Sequence, residues 1–323
     1  MDKAMLDSAP TILTDTRLYD GDTLTIKEWI PSVPTRGTIH LLHGMAEHSG
    51  RYHEFANFLK HRGWRVLAHD HRGHGNRISE SRPAGHFSGV DGWNKVVSDV
   101  RSVVEAKVDS ASRDPYFLFG HSMGSFIAQA FTQQYAAKVS GVILSGTGYQ
   151  PAWYLQANEW VSKMERFRCG HRGVSGLLRK LTFDKFNQQF APNRTPFDWL
   201  SRSDEAVDRY IEDPLCGFDC STQTWVEFIH GMKKITRNYE KFTLPEDIAF
   251  MLLSGAADPI HADNQGVVKL GRALRRCGVR SVTTKLYPDA RHEILHETNK
   301  DEVMEDMHEW LLNQARSSLD LTG

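Results

Sequence analysis

The chain has 323 residues, of which 40% are hydrophobic and 24% charged, and its net charge is −1. At about 150 residues per domain, this length suits two domains or one large domain with an insertion. The composition is that of a globular protein with a sizeable core, and the balanced charge excludes general nucleic-acid binding, which needs a basic footprint. The longest apolar stretch, 248–257, is broken by Ser254 and Gly255 and falls short of the ~18 residues of a membrane span. Acids at Asp2 and Asp7 with no apolar run behind them argue against a signal peptide. The four cysteines, Cys169, Cys216, Cys220 and Cys277, are too few for a disulfide scaffold. No second Cys/His pair stands at zinc-finger spacing from Cys216 and Cys220. Reduced thiols and a cytoplasmic location are expected.

Residues 1–10 read as a loose end. Residues 16–20 and 23–30 alternate apolar and polar around Asp20-Gly21-Asp22, which predicts a β-hairpin. A short buried strand at 38–42 follows. Residues 52–61 place Phe55, Phe58 and Leu59 at helical spacing and stop at Gly63. Next come a strand at 65–69 and an amphipathic helix at 93–108, with Val96, Val97, Val100, Val103 and Val104 on one stripe. A strand at 115–119, a helix at 123–135 and a strand at 139–144 continue the alternation. From 147 to 243 that beat is lost and the helical segments look broken. It resumes with a strand at 248–253, a helix at 264–277, a strand at 282–287 and a last helix at 301–316. This alternation predicts an α/β fold with a mostly parallel, doubly wound sheet covered on both faces. The expected division is a core at 1–145, an inserted helical cap at 146–244 and the rest of the core at 245–323. Residues 147–243 hold 16 of the 33 aromatics, including Trp153, Trp160, Phe183, Trp199 and Phe228. Some form the core of the cap, and others are expected to line an apolar pocket.

Gly120-His121-Ser122-Met123-Gly124 is a G-x-S-x-G segment set between a predicted strand and a predicted helix. A nucleophilic serine there stands on a tight, strained turn, and only small residues fit two positions before and after it. The following helix aims its first N–H groups at the place where an anion develops. A serine needs a base, and the base needs an orienting acid. Asp258 follows the strand at 248–253 and His292 follows the strand at 282–287, so both lie at carboxyl ends of strands, where catalytic groups gather. The rivals Asp289, Asp247, Asp263, His261 and His308 are less well placed. Two backbone N–H groups should bind the oxyanion: Met123, the residue after the nucleophile, and Met45, which follows the flexible Gly44. His43 is expected to brace that loop.

The segments HGMAEHSGRY at 43–52, DHRGHG at 70–75 and GHSMG at 120–124 strongly resemble the monoacylglycerol lipase and lysophospholipase branch of the α/β-hydrolases, over roughly residues 15–315. The resemblance implies a serine hydrolase that cleaves one acyl ester of a monoacylated lipid. It implies Ser122, Asp258 and His292 as triad, Met45 and Met123 as oxyanion donors, and a cap over an acyl channel.

One decoy stands in the same region. His292-Glu293-Ile294-Leu295-His296 spells H-E-x-x-H, a zinc signature when it lies on a helix. Here it follows a strand and a turn, and no third ligand stands at suitable spacing. His69, His71 and His74 around Asp70 read as a hydrogen-bonded loop. Arg166, Arg168, Arg172, Arg179 and Lys180 read as a solvated basic face that suits an anionic lipid surface.

The expected function is hydrolysis of a monoacylglycerol through an acyl-enzyme, with no cofactor or metal. A lysophospholipase, a short-chain carboxylesterase and a zinc hydrolase built on the HEILH segment are the alternatives. The expected partner is a small lipid ester, with no nucleic acid, and with transient contact between the cap and a membrane surface.

Overall fold

Residues 10–109, 114–260 and 265–320 are described by a computed structural model; the loose end expected at 1–10 falls, but for Pro10, outside them. The expected hairpin is formed by β1 (Ile12–Arg17) and β2 (Thr23–Trp29), with Arg17 opposite Thr23. β1 starts and stops earlier than the alternation suggested. Leu18 N–H bonds to Asp22 and Gly21 N–H to Leu18, so residues 18–22 are used up in the turn.

The chain continues through β3 (Thr38–Leu42), α1 (His53–His61), β4 (Arg65–His69), α2 (Gly92–Lys107), β5 (Tyr116–His121), α3 (Met123–Tyr135) and β6 (Gly141–Ser145). After an irregular stretch it closes with β7 (Ala249–Gly255), α9 (Gln265–Arg276), β8 (Ser281–Tyr287) and α10 (Lys300–Asp320). Between β6 and β7 lie α4 (Ala152–Cys169), α5 (Gly176–Arg179), α6 (Lys185–Gln188), α7 (Asp204–Glu212) and α8 (Thr222–Asn238), with a π-helical turn at 180–184 joining α5 to α6.

The strands form one sheet in the order β1-β2-β4-β3-β5-β6-β7-β8. The β1–β2 and β2–β4 pairs are antiparallel and the other pairs are parallel. Side chains alternate across a strand, and here both faces are covered. Phe117, Phe119, Ile143, Met251 and Leu253 pack with α1 and α10. Leu118, Val142, Leu144, Phe250 and Leu252 pack with α2, α3 and α9. The near-continuous apolar strands β3, β5, β6 and β7 follow from this double burial. Every parallel strand therefore points its carboxyl end the same way, and the loops after β3, β5, β7 and β8 converge there.

The segment between β6 and β7 contains two long helices where broken segments were expected. α8 seats Phe228 against Trp93 and Phe126. α4 lies along α8, yet its inward face carries Leu155, Glu159, Ser162 and Glu165. Glu159 pairs with Lys163 and Lys233, and Glu165 with Arg168. The apolar row Trp153, Trp160, Met164 and Phe167 faces outward. A hydrophobic periodicity that points to solvent conceals the helix from a reading that equates apolar with inward.

Candidate active site

Ser122 stands between β5 and α3 with φ +50° and ψ −117°, a conformation that L-residues rarely adopt. The two glycines of the motif explain how the turn closes. A Cβ at Gly124 would lie 2.1 Å from the Leu42 carbonyl oxygen, and one at Gly120 would lie 2.4 Å from that of Gly124. Ser122 N–H donates to Ser145 (2.9 Å), which fixes the turn against β6.

Asp258 lies four residues into the segment that follows β7's Ser254, and it binds back to that strand. Its Oδ2 accepts from the Ser254 hydroxyl (3.2 Å) and its Oδ1 from Ile260 N–H (3.0 Å). The same loop is sewn to the loop after β8: Ala256 N–H donates to Tyr287 and Ala257 N–H to Ala290. A Cβ at Gly255 would sit 2.0 Å from the Ala290 oxygen, so only glycine permits this approach. His292 Nδ1 then lies 2.9 Å from Asp258 Oδ2, with both side chains buried. The His292 ring rests between Trp199 (centroids 5.0 Å apart, planes at 27°) and His121 (4.7 Å, 48°). Burial alone works against the imidazolium, but Asp258, Glu293 and Glu47 together outweigh it and raise the His292 pKa above its ordinary value.

The loop after β3 is held from several sides. His43 Nδ1 lies 2.8 Å from the Gly44 carbonyl, and its Nε2 accepts from His71 N–H (2.9 Å), so His43 braces the loop. Ala46 is left-handed (φ +56°), and its carbonyl accepts from the Tyr210 hydroxyl (2.9 Å) and Gly217 N–H (3.0 Å). Neither the Met45 nor the Met123 N–H has a protein acceptor among the described residues. Glu47 accepts from Gly44 N–H and from the Tyr52 hydroxyl. Arg51 donates to Glu47 (2.7 Å) and, through two nitrogens, to Glu293 (2.6 and 2.7 Å). One buried guanidinium thus ties the Met45 loop to the residue beside His292. It holds the Glu293 carboxyl, which burial would push up, well below the usual range. Glu47 and Arg51 lay in the sequence segment at 43–52 without an assigned role. Their spacing of four was a visible signal, whereas Glu293 is separated from Arg51 by 242 residues and carried none.

A cavity opens over Ser122 and His292. Its walls include Met45, Phe183, Phe197, Trp199, Phe218 and Ile260, and its charged members are Glu47, Glu293, Arg179 and Asp219. Part of the aromatics of 147–243 therefore line a pocket, while others, such as Trp153 and Trp160, face solvent.

The rivals lie elsewhere. Asp289 sits in a left-handed turn (φ +58°), Asp247 precedes β7, and His308 packs on Phe58 and accepts from the Trp64 indole. His261 and Asp263 lie outside the described residues. The HEILH segment is a loop and one 3₁₀ turn at Ile294–His296. Arg51 occupies the Glu293 carboxylate, and His296 Nε2 faces the Arg51 carbonyl at 3.1 Å, so the segment does not aim its ligands at one point. Among the described residues, His48, Asp213 and Cys216 bring donor atoms within 4.8 Å of one another. Both His48 nitrogens are engaged, however: Nδ1 accepts from Gly50 N–H, and Nε2 lies 2.8 Å from Asp213. In the 69–75 loop, Asp70 accepts from Ser49 and Asn76 N–H groups, whereas the His71 ring nitrogens have no partner among the described residues. The basic stretch is dispersed: Arg166 donates to Gln223, Arg168 to Glu165 and Arg172 to the Ser81 carbonyl, and Arg179 reaches the cavity.

The mostly parallel eight-stranded sheet, with a G-x-S-x-G turn at the end of its central strand β5, defines an α/β-hydrolase, a serine hydrolase of esters. Residues 33–299 match the family described as serine aminopeptidase, S33. The chain belongs to that family and, within it, to the monoacylglycerol lipase branch. It is 30% identical to the monoglyceride lipase of Homo sapiens over 303 residues, covering 90% of this chain and 86% of that one. It is 26% identical to a monoacylglycerol lipase of Mycolicibacterium smegmatis, covering 88% and 91%. A solved carboxyl esterase from Bacillus coagulans in complex with glycerol superposes with a TM-score of 0.81 at 27% identity, covering 94% of this chain and 98% of that one.

Proposed function

We propose that the protein hydrolyses the ester of a monoacylglycerol. Ser122 Oγ attacks the ester carbonyl as His292 Nε2 takes its proton. Asp258 holds the Nδ1 tautomer and stabilises the imidazolium. The Met45 and Met123 N–H groups bind the oxyanion, each contributing about 3–4 kcal/mol to the transition state. The protonated His292 then gives its proton to the departing glycerol oxygen. Water deprotonated by His292 releases the fatty acid from the acyl-enzyme. In this reading residues 146–244 are the cap over the site.

The observation that carries the substrate class is the aromatic wall of Phe183, Phe197, Trp199 and Phe218 over Ser122, which suits an acyl chain better than a peptide. The second reading is a lysophospholipid, whose phosphate a guanidinium such as Arg179 in the same cavity would suit if it stood without a neighbouring carboxylate. Contact with a membrane surface belongs to the proposal as well. Phe167 is 94% exposed, Trp153 72% and Trp160 63%, and Lys163, Lys233, Lys234, Arg237 and Lys241 line the adjacent α4–α8 groove. No helix among the described residues is long and apolar enough to cross a membrane.

The test is fatty-acid release from a monoacylglycerol by the purified protein, with Ser122→Ala alongside. Wild-type release with a loss of roughly 10⁶-fold in kcat in the variant supports the assignment. Retention of most activity by the variant sinks it.

A further inference from the structure

Of the four charged side chains besides His292 that line the cavity, two are already committed. Glu47 and Glu293 are buried, and Arg51, Tyr52 and Gly44 occupy their oxygens. Arg179 and Asp219 differ from them. Their side chains are 35% and 34% exposed, and the Arg179 Nη1 contacts to Asp219 are 3.3 and 3.5 Å long. Charge-assisted N–H···O bonds close to about 2.7–2.9 Å when fully made. Arg179 Nε reaches Asp184 at a similarly loose 3.4 Å. Arg179 is four residues before Phe183 and Asp219 directly follows Phe218, and all four line the cavity that Ser122 and His292 share.

We propose that Arg179 and Asp219 form a head-group subsite that selects an uncharged polyol and rejects a phosphate, an inference that rests on the ester-hydrolase reading above. A hydroxyl can enter the loose pair from either side. Its O–H donates a hydrogen bond to the Asp219 carboxylate, and its oxygen accepts from the Arg179 guanidinium. A phosphate meets a different balance. One guanidinium faces two carboxylates, Asp184 and Asp219, so the cluster carries one net negative charge. Attraction to Arg179 is offset by repulsion from its neighbours, and the anion loses to water. Specificity here comes from the repulsive element as much as from the attractive one. A lone arginine on this wall would favour the lysophospholipid; Asp219 reverses that choice.

The experiment compares two substrates with the same acyl chain, a monoacylglycerol and the corresponding 1-acylglycerol 3-phosphate, on wild type, Asp219→Asn and Arg179→Gln. A p-nitrophenyl ester of that acyl chain, which has no polyol or phosphate, reports that each variant is folded with a working nucleophile. Wild type should prefer the monoacylglycerol. Asp219→Asn should shift the ratio of kcat/KM values toward the phosphate by about tenfold, since removal of one nearby like charge acts at that scale. Arg179→Gln should weaken both lipids, mainly through KM. An unmoved ratio in Asp219→Asn, with both lipids turned over, overturns the subsite. So does an Arg179→Gln variant that gains activity on the phosphate. Failure of the underlying reading looks different: the wild type would cleave the p-nitrophenyl ester and release nothing from the monoacylglycerol.

Discussion

The indole of Trp199 lies on the imidazole of His292, with ring centroids 5.0 Å apart and planes 27° from parallel. The backbone reinforces the contact: His292 N–H donates to the Trp199 carbonyl and Glu293 N–H to that of Leu200. A residue from the segment between β6 and β7 therefore sets the orientation of the proposed base. Trp199→Ala should lower kcat on every ester, including short ones, by about ten- to a hundredfold, because a base displaced by an ångström loses that much. Trp199→Phe, which keeps a ring on the imidazole, should restore most of it. Steady-state kinetics on a short ester decide the matter; an unchanged kcat in Trp199→Ala removes the role.

The carboxylates around His292 give a pH prediction. As the proposed base His292 works only when neutral, and its pKa is raised above the ordinary value. The acid limb of kcat/KM should therefore lie above about pH 6.5. Glu293→Gln deletes one of the charges that raise this pKa, so its limb should move to lower pH. A limb that stays in place would show that Glu293 exerts no field at His292.

Arg51 binds Glu47 and Glu293 at once. Arg51→Ala leaves two buried carboxylates without their cation and should destabilise the fold by about 3–5 kcal/mol. Arg51→Lys keeps the charge but cannot reproduce the forked contact. It should fold, with kcat falling at least about tenfold and KM changing less. Thermal melts read the first effect and initial rates the second. A lysine variant with wild-type kcat would reduce Arg51 to a purely structural ion pair.

Buried neutral histidines predict acid lability. Burial holds His40 at about 3 and His74 at about 4, and with its neighbours holds His43, His69, His71 and His121 well below the usual value. The unfolded chain binds protons first, so this stability is complete above about pH 6.5 and falls as the pH drops below it, by up to about 1.4 kcal/mol per pH unit for each histidine. His292 has the opposite sign, since its raised pKa contributes stability that is lost as pH rises through it, but it is one group against six. Denaturant melts from pH 7.5 to 5 should show the loss. A flat profile would require water or another group to satisfy the open nitrogens of His69, His71 and His74.

Much of the core was legible because its strands and helices obey simple periods. The strand at 38–42 and the helix at 123–135 fall where their patterns placed them. Ser122, Asp258 and His292 each follow a strand; His292 reaches Asp258 and lines one cavity with Ser122. The segment between β6 and β7 was less legible for a physical reason. α4 turns Trp153, Trp160 and Phe167 outward and buries Glu159 and Glu165, so its pattern is inverted. The Arg51–Glu293 contact and the Trp199 stack were invisible because they join residues far apart in the chain, and no local period records such a meeting.

The backbone at Ser122, with φ +50° and ψ −117°, has one further consequence. Such a conformation costs on the order of 1–3 kcal/mol, a large share of the 5–15 kcal/mol that separates a folded domain from its unfolded state. The hydroxyl of the proposed nucleophile is therefore held like a cocked spring, against the preference of its own residue. In the proposed mechanism this strained residue is also the nucleophile, so selection for thermal endurance alone would work against the very turn on which turnover depends.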